Sequence, residues 1–275
     1  MLRAHPHVSW VSYGDRADWF VGAWRDERGH VYVNRSFPSA GRIRLEEDVR
    51  DRDFIRETLG RYVSPELAEE VLRDREAVQM GGEVREVAML MSDLRGFSEL
   101  SERLGPAAMI GLLNRYLARM TPVILQHRGV IDEFIGDAIF VLFGAPFSRP
   151  DDPERAVRCA WVMQEALAAF NLDNRSHGLP ELSMGIGVHV GPVVAGNIGS
   201  ADRVKYGVVG PAVNLTARIQ SLTAGGEILL SDALLARVSS IVSVTPGRQE
   251  RAKGLAEPIT VYRLLEVKAV SEAAG

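Results

Sequence analysis

The chain has one cysteine, Cys159, in 275 residues. An internal disulfide is therefore excluded, and a reducing, cytoplasmic setting is the expectation. Cys159 lies in the helical stretch AVRCAWVM, which makes it a small core residue rather than a nucleophile. Long hydrophobic runs are also missing. No stretch approaches the ~18 uncharged apolar residues of a spanning helix, and MLRAHPHVSW lacks the apolar centre of a signal peptide. Nor does one sign of charge prevail. The 32 basic and 36 acidic side chains leave a net charge of −4. That gives no polybasic footprint, so a nucleic acid polymer is not an expected partner. What remains is 46% hydrophobic and 25% charged, the balance of a globular protein long enough for one large or two modest domains.

Residues 1–45 stand apart. They hold three of the four tryptophans, alternate apolar with polar positions, and break at 26–29. The pattern predicts two or three short strands joined by hairpin turns, too few to close a core alone. This segment faintly resembles the last hairpin of a Cache-type extracellular sensor domain. In such receptors a membrane helix and a signalling linker would follow, and here no membrane helix does. Residues 46–82 are charged and helix-favouring, with Ser64 as an N-cap ahead of Pro65. They predict a linker helix, either a plain surface helix or a coupling helix paired with its twin in a dimer. Gly81 and Gly82 mark the start of the main domain, 83–267, and the tail 268–275 is expected to fray.

Inside the main domain two stretches each deliver one aspartate to a turn. VAMLMSDLRGFSEL reads as a buried strand ending at Asp93 and running into a helix at Phe97. GVIDEFIGDAIFVLFGAP reads as a hairpin with Gly136 and Asp137 at its turn. Alone, each aspartate is ordinary turn chemistry. As neighbours they would place two carboxylates at one sheet edge, beside the backbone N–H groups of Gly96, Phe97 and Ser98 at a helix N-terminus. Hard divalent cations on carboxylates, next to amides suited to phosphate, are what nucleoside triphosphate chemistry requires.

The remaining pattern alternates strands and helices. Pro106 to Arg128 is an amphipathic helix, a second starts at Asp152 and runs to about Asn171, and a third begins at Pro211. His189 sits in the strand LSMGIGVHVG, where packing or hydrogen bonding is the ordinary role and metal ligation the alternative. Asn214 and Arg218 are four apart, so they share one helix face.

With those motifs in order, residues 83–267 resemble the catalytic domain of class III nucleotidyl cyclases, the adenylyl and guanylyl cyclases. The resemblance rests on SDLRGFSELSERLG, LLNRYL, GVIDEFIGDAIFVLFGAP, GIGVHVGPVVAGNIGS, YGVVGPAVNLTARIQSL, GGEILLS and KGLAEPITVYRLLE. It implies an α+β fold: a ferredoxin-like βαββαβ core with flanking helices and a C-terminal β extension. It also implies a head-to-tail homodimer with two composite sites, each drawing on both chains. Asp93 and Asp137 match the aspartates that hold two Mg²⁺ or Mn²⁺ ions per site, and the Leu94 carbonyl matches the backbone ligand. Asn214 matches the residue that orients the ribose, and Arg218 the one that neutralises the α-phosphate. In the implied reaction the ribose 3′-oxygen attacks the α-phosphorus and pyrophosphate leaves.

Three departures from the family pattern matter, the first a pair of positions. Glu133 stands where adenylyl cyclases carry a lysine, and Gly207 where its Asp or Thr companion would be. A carboxylate can accept from guanine N1–H and the 2-amino group, whereas adenine N1 would face it lone pair to lone pair. The pair therefore leans towards GTP and cGMP, with ATP and cAMP as the alternative. Leu255 replaces a lysine that grips the terminal phosphates, while Lys253 is kept as a nucleotide-binding candidate. Pro211 replaces the usual Asp before the Asn214 helix. Leu255 and the short front end leave a second alternative open, a regulatory cyclase-fold module without turnover.

Overall fold

The structure is a computed structural model that describes residues 13–14, 20–25, 31–39, 42–48, 81–200, 203–251 and 257–268. The chain divides into two compact units, Met1–Ala77 and Val78–Gly275.

The first unit contains one antiparallel sheet in chain order: β1 (Tyr13–Gly14), β2 (Phe20–Arg25), β3 (Val31–Ser39) and β4 (Arg42–Asp48). Four strands form where two or three were expected. β4 also runs through residues 46–48, where the linker helix was to begin. Ile43 and Leu45 alternate with charged residues, and Ser39 pairs with Arg42. Cross-strand pairing outweighs the helix preference of the acidic residues there. The rest of that linker lies outside the described residues.

The second unit runs β5 (Gly81–Leu94), α1 (Phe97–Leu104), α2 (Pro106–Gln126), β6 (Val130–Ile135), β7 (Ala138–Phe143), α3 (Asp152–Ser176), β8 (Met184–Ser200), β9 (Arg203–Val209), α4 (Pro211–Ser221), β10 (Ile228–Ser231), α5 (Asp232–Val238), β11 (Val242–Val244), β12 (Arg248–Glu250) and β13 (Ile259–Val267). One sheet takes the order β11-β13-β10-β8-β5-β7-β6, with β9 on β8 and β12 on β13. Its β8-β5-β7-β6 portion is antiparallel throughout and is the ferredoxin-like core. β10 joins β8 in parallel.

β5 explains why its sequence reads as an unbroken apolar run. Ala88, Leu90 and Leu94 pack into the core formed with α2 and α3. Val87, Met89 and Met91 pack on the opposite face, with Ala212 of α4. A strand covered on both faces has no polar side to show. The period of two puts Asp93 on the α4 face.

Three boundaries differ from the sequence expectation. Gly81 and Gly82 are the first residues of β5, not a linker. They pair with Asn197 and Gly196 of β8, and a Cβ at Gly196 would lie 2.1 Å from the Gly81 carbonyl oxygen. α3 continues to Ser176 rather than stopping near Asn171. Asn171 does not cap the helix; its amide bonds both the N–H and the carbonyl of Leu182, while Asn174 reaches the Pro180 carbonyl. Lys268, assigned to the tail, donates its backbone N–H to Ile241.

α4 packs directly on β8, and glycine makes that approach possible. A Cβ at Gly187 would lie 2.4 Å from the Gln220 backbone nitrogen, an atom that cannot swing aside. Gly187→Ala is therefore expected to displace α4 and cost about 1–3 kcal/mol. Thermal melts should show a lower Tm, and an unchanged Tm would contradict this packing.

Candidate active site

The site is built where β5 ends and the β6–β7 hairpin turns. β5 and β7 are antiparallel neighbours, with Ser92 opposite Ile139. The end of one therefore meets the turn at the start of the other. Ile135 faces Ala138, which leaves Gly136 and Asp137 as a two-residue turn with Gly136 at φ 65°. Left-handed backbone at that position suits glycine. The turn carries the Asp137 carboxylate back to β5, where Oδ2 accepts the Leu94 N–H at 2.9 Å. Asp93 is the next residue back. The two sequence-predicted aspartates are thus brought together.

Their proximity shows in Asp137. Burial raises its carboxyl pKa, the Leu94 N–H pulls it down, and the charge of Asp93 pushes it up again. Two converging carboxylates repel when both are ionised, and a divalent cation between them removes that cost. Among the described residues no group of three or more His, Cys, Asp or Glu side chains gathers for a metal. A pair of carboxylates suits Mg²⁺, which keeps several waters and takes substrate phosphates as further ligands. The residues present therefore fit such an ion.

Helix α1 begins at Phe97, with Gly96 as its N-cap at φ 70° and no side chain capping it. The N–H groups of Gly96, Phe97 and Ser98 sit at the positive end of that helix, directly after β5. Asn214 is exposed and Arg218 half-buried on α4. Among the described residues, no side-chain hydrogen bond or ion pair engages either. Pro211 takes the first position of α4, as its fixed φ allows. Lys253 and Leu255 lie outside the described residues.

Glu133 is on β6 with its side chain 55% exposed, and Lys205 Nζ lies 3.3 Å from its Oε2. Gly207, expected as the small companion of Glu133, faces Asp132 instead. A Cβ there would meet the Asp132 carboxylate at 3.2 Å. The β6 register slips between Ile131 and Glu133, and this bulge aims Asp132 to the same side as its neighbour. Lys205 also bonds Asp132 at 3.2 Å. Burial raises the Asp132 pKa, with Lys205 acting against it and Glu133 adding to it. Burial works to lower the Lys205 pKa, but both carboxylates outweigh it and hold the ammonium above its usual value.

Asp132, Lys205 and Arg95 escaped the sequence reading. Asp132 and Lys205 depend on a bulge and a cross-sheet contact that no local pattern announces. Arg95 lies in the turn after β5, where no strand period aims it, and it is turned back towards Asp93. Its Nη1 lies 3.2 Å from Asp93 Oδ2. His189 is a packing residue. Its Nδ1 pairs with Ser231 Oγ at 2.8 Å, and burial lowers its pKa to about 4, so it is neutral at physiological pH. Burial pushes the Cys159 thiol up to about 12, which leaves it inert.

The family model for the adenylate and guanylate cyclase catalytic domain matches residues 80–264. Adenylate cyclase 1 of Rhizobium meliloti is 32% identical over 79% of this chain and 33% of its own length. The adenylate cyclase of Anabaena cylindrica is 37% identical over 70% of this chain and 39% of its own. The chain thus spans little more than a third of these curated relatives. Among solved structures, the guanylyl cyclase Cya2 superposes with a TM-score of 0.67 at 47% identity, covering 70% of this chain and 98% of that one. The adenylyl cyclase CyaB from P. aeruginosa gives 0.66 at 30% identity, covering 69% and 98%. The chain belongs to the adenylate and guanylate cyclase catalytic domain family.

The raised Asp137 pKa gives a signed expectation. A carboxyl whose folded pKa exceeds its unfolded value favours the fold below the unfolded pKa, and that contribution is lost as pH rises through the folded one. Above the carboxylate range the burial of Asp137 and its acidic neighbour therefore cost the metal-free protein stability, and Asp137→Asn removes that cost. In EDTA at pH 7 this variant should melt at or above the wild-type temperature, with the gap closing as pH falls through the carboxylate range. A clearly lower Tm at pH 7 would contradict like-charge repulsion at the site.

Proposed function

We propose that residues 83–267 form a purine nucleotide cyclase that converts GTP to cGMP and pyrophosphate at sites shared between two copies of the chain. The observation that carries this reading is the meeting of Asp93 and Asp137 at the end of β5, fixed by the Leu94 N–H. These two carboxylates and the Leu94 carbonyl would hold two Mg²⁺ or Mn²⁺ ions. When bound, such ions lower the cost of ionising the ribose 3′-hydroxyl and hold the triphosphate.

The chain's own groups supply the rest. The free N–H groups at the start of α1 receive phosphate oxygens. Asn214 orients the ribose, and the Arg218 guanidinium stabilises charge that builds on the α-phosphoryl group. Both are supplied by the neighbouring subunit, which agrees with their side chains' lack of partners among the described residues. Glu133 accepts from guanine N1–H and the 2-amino group. Lys205, resting between Glu133 and Asp132, holds that carboxylate in place. The similarity to the guanylyl cyclase Cya2 supports guanine as the base. ATP is the second reading, favoured by the curated relatives named as adenylate cyclases.

Purified dimer with Mn²⁺ should turn over GTP faster than ATP, and Glu133→Lys should move the ratio towards ATP. The reverse order in the wild type would assign the ATP reading instead, and no product from either would end the enzyme reading. Asp93→Ala and Arg218→Ala should each abolish turnover. Mixed chains that co-assemble should recover part of it, because one of the two shared sites is then whole. No recovery in proven heterodimers would exclude composite sites.

A further inference from the structure

We propose that Arg95 is a positioning residue that fastens the metal aspartate Asp93 to the C-terminal end of α4, so that the two catalytic halves of one chain are held as a single piece. Its backbone N–H donates to the Ser183 carbonyl at 2.7 Å, which anchors the turn after β5. From there the guanidinium forks. Nη1 lies 3.2 Å from Asp93 Oδ2, while Nη2 donates to the Gln220 carbonyl at 2.8 Å and to Thr223 Oγ1 at 2.6 Å. Gln220 belongs to the last turn of α4, the helix that carries Asn214 and Arg218.

The surroundings are shaped for this side chain. A Cβ at Gly185 would lie 1.9 Å from Thr223 Oγ1 and 2.6 Å from Arg95 Nη2. Only a glycine at that point of β8 lets the guanidinium cross the sheet. The arrangement leaves Arg95 Nε buried without an acceptor. The fork is therefore aimed at its two targets rather than at the fullest set of hydrogen bonds. Each target gains from a cation. The Gln220 carbonyl, which also accepts the Thr223 N–H at 3.0 Å and the Thr223 hydroxyl at 2.6 Å, sits at the negative end of the helix dipole, where a cation is favoured. Asp93, for its part, faces Asp137. A lysine could reach one of these groups but not span both.

This link matters because of the composite-site reading, on which its catalytic consequence rests. Asp93 would serve one site of the dimer, and Asn214 and Arg218 of the same chain the other. Arg95 thus joins the metal end of one site to the transition-state end of its twin.

Amide hydrogen exchange on the full chain in EDTA tests the strut without metal, substrate or activity. In Arg95→Ala, amides 219–223 should exchange roughly ten-fold faster than in wild type. The same amides should also quicken in Asp93→Ala, although that residue is on β5. Unchanged exchange in Asp93→Ala would reduce Arg95 to a helix cap and overturn the proposal. If Arg95→Ala does not fold, Arg95→Lys takes its place, with the same acceleration expected and wild-type exchange contradicting it. The catalytic consequence is read in the heterodimer of Arg218→Ala and Asp93→Ala chains. Adding Arg95→Ala to the chain that keeps Asp93 should raise the Mn²⁺ concentration for half-maximal rate. Adding it to the chain that keeps Arg218 should lower kcat instead. No effect from either placement overturns the catalytic role. A parent heterodimer with no activity indicts the composite-site reading instead, and the exchange result then stands alone.

Discussion

Two carboxylates that repel one another are pressed together by backbone pairing that leaves them nowhere else to go. The β5–β7 ladder fixes where β5 ends, the two-residue turn fixes where Asp137 begins, and the Leu94 N–H locks the second carboxylate against the first. Neither strand can slip by one residue without turning a fully buried set of side chains to the wrong face. Register here is enforced by the cores on both sides of the sheet, and those cores keep the acidic pair in place. The molecule accepts a local electrostatic cost where a dication would relieve it, as functional sites commonly do.

Around that pair the cationic groups divide into two kinds. Arg95 and Lys205 are engaged inside the chain, with Asp93 and with Asp132 and Glu133. The Arg218 guanidinium has no hydrogen-bond or ion-pair partner among the described residues. A guanidinium and an asparagine on one helix, both without side-chain partners among the described residues, are what the proposed shared pocket requires, since its ligand comes from outside.

Much of this was legible because local rules and the fold agree. The apolar runs either side of Gly136 and Asp137 announced the hairpin, and prolines at the starts of α2, α3 and α4 announced those helices. Both aspartates, the start of α1 and the Asn214–Arg218 face followed from spacing alone. The misses have a common cause. Asn171 looks like a helix end, yet its amide is spent on Leu182, a contact made only after the chain has turned back. Asp132 looks like any strand carboxylate until the bulge redirects it against Gly207. Residues 46–48 are acidic and helix-favouring, but β3 offers them a strand partner. In each case a tertiary contact, invisible to a window of neighbours, outweighed the local preference.

The account turns on whether Asp93 and Asp137 gather cations. Anomalous scattering at the manganese edge, from crystals of the dimer grown with Mn²⁺ and a non-hydrolysable GTP analogue, tests this most directly. Two peaks between the Asp93 and Asp137 carboxylates, against the analogue's phosphates, are predicted. A nucleotide bound with no anomalous density at that pair would contradict it.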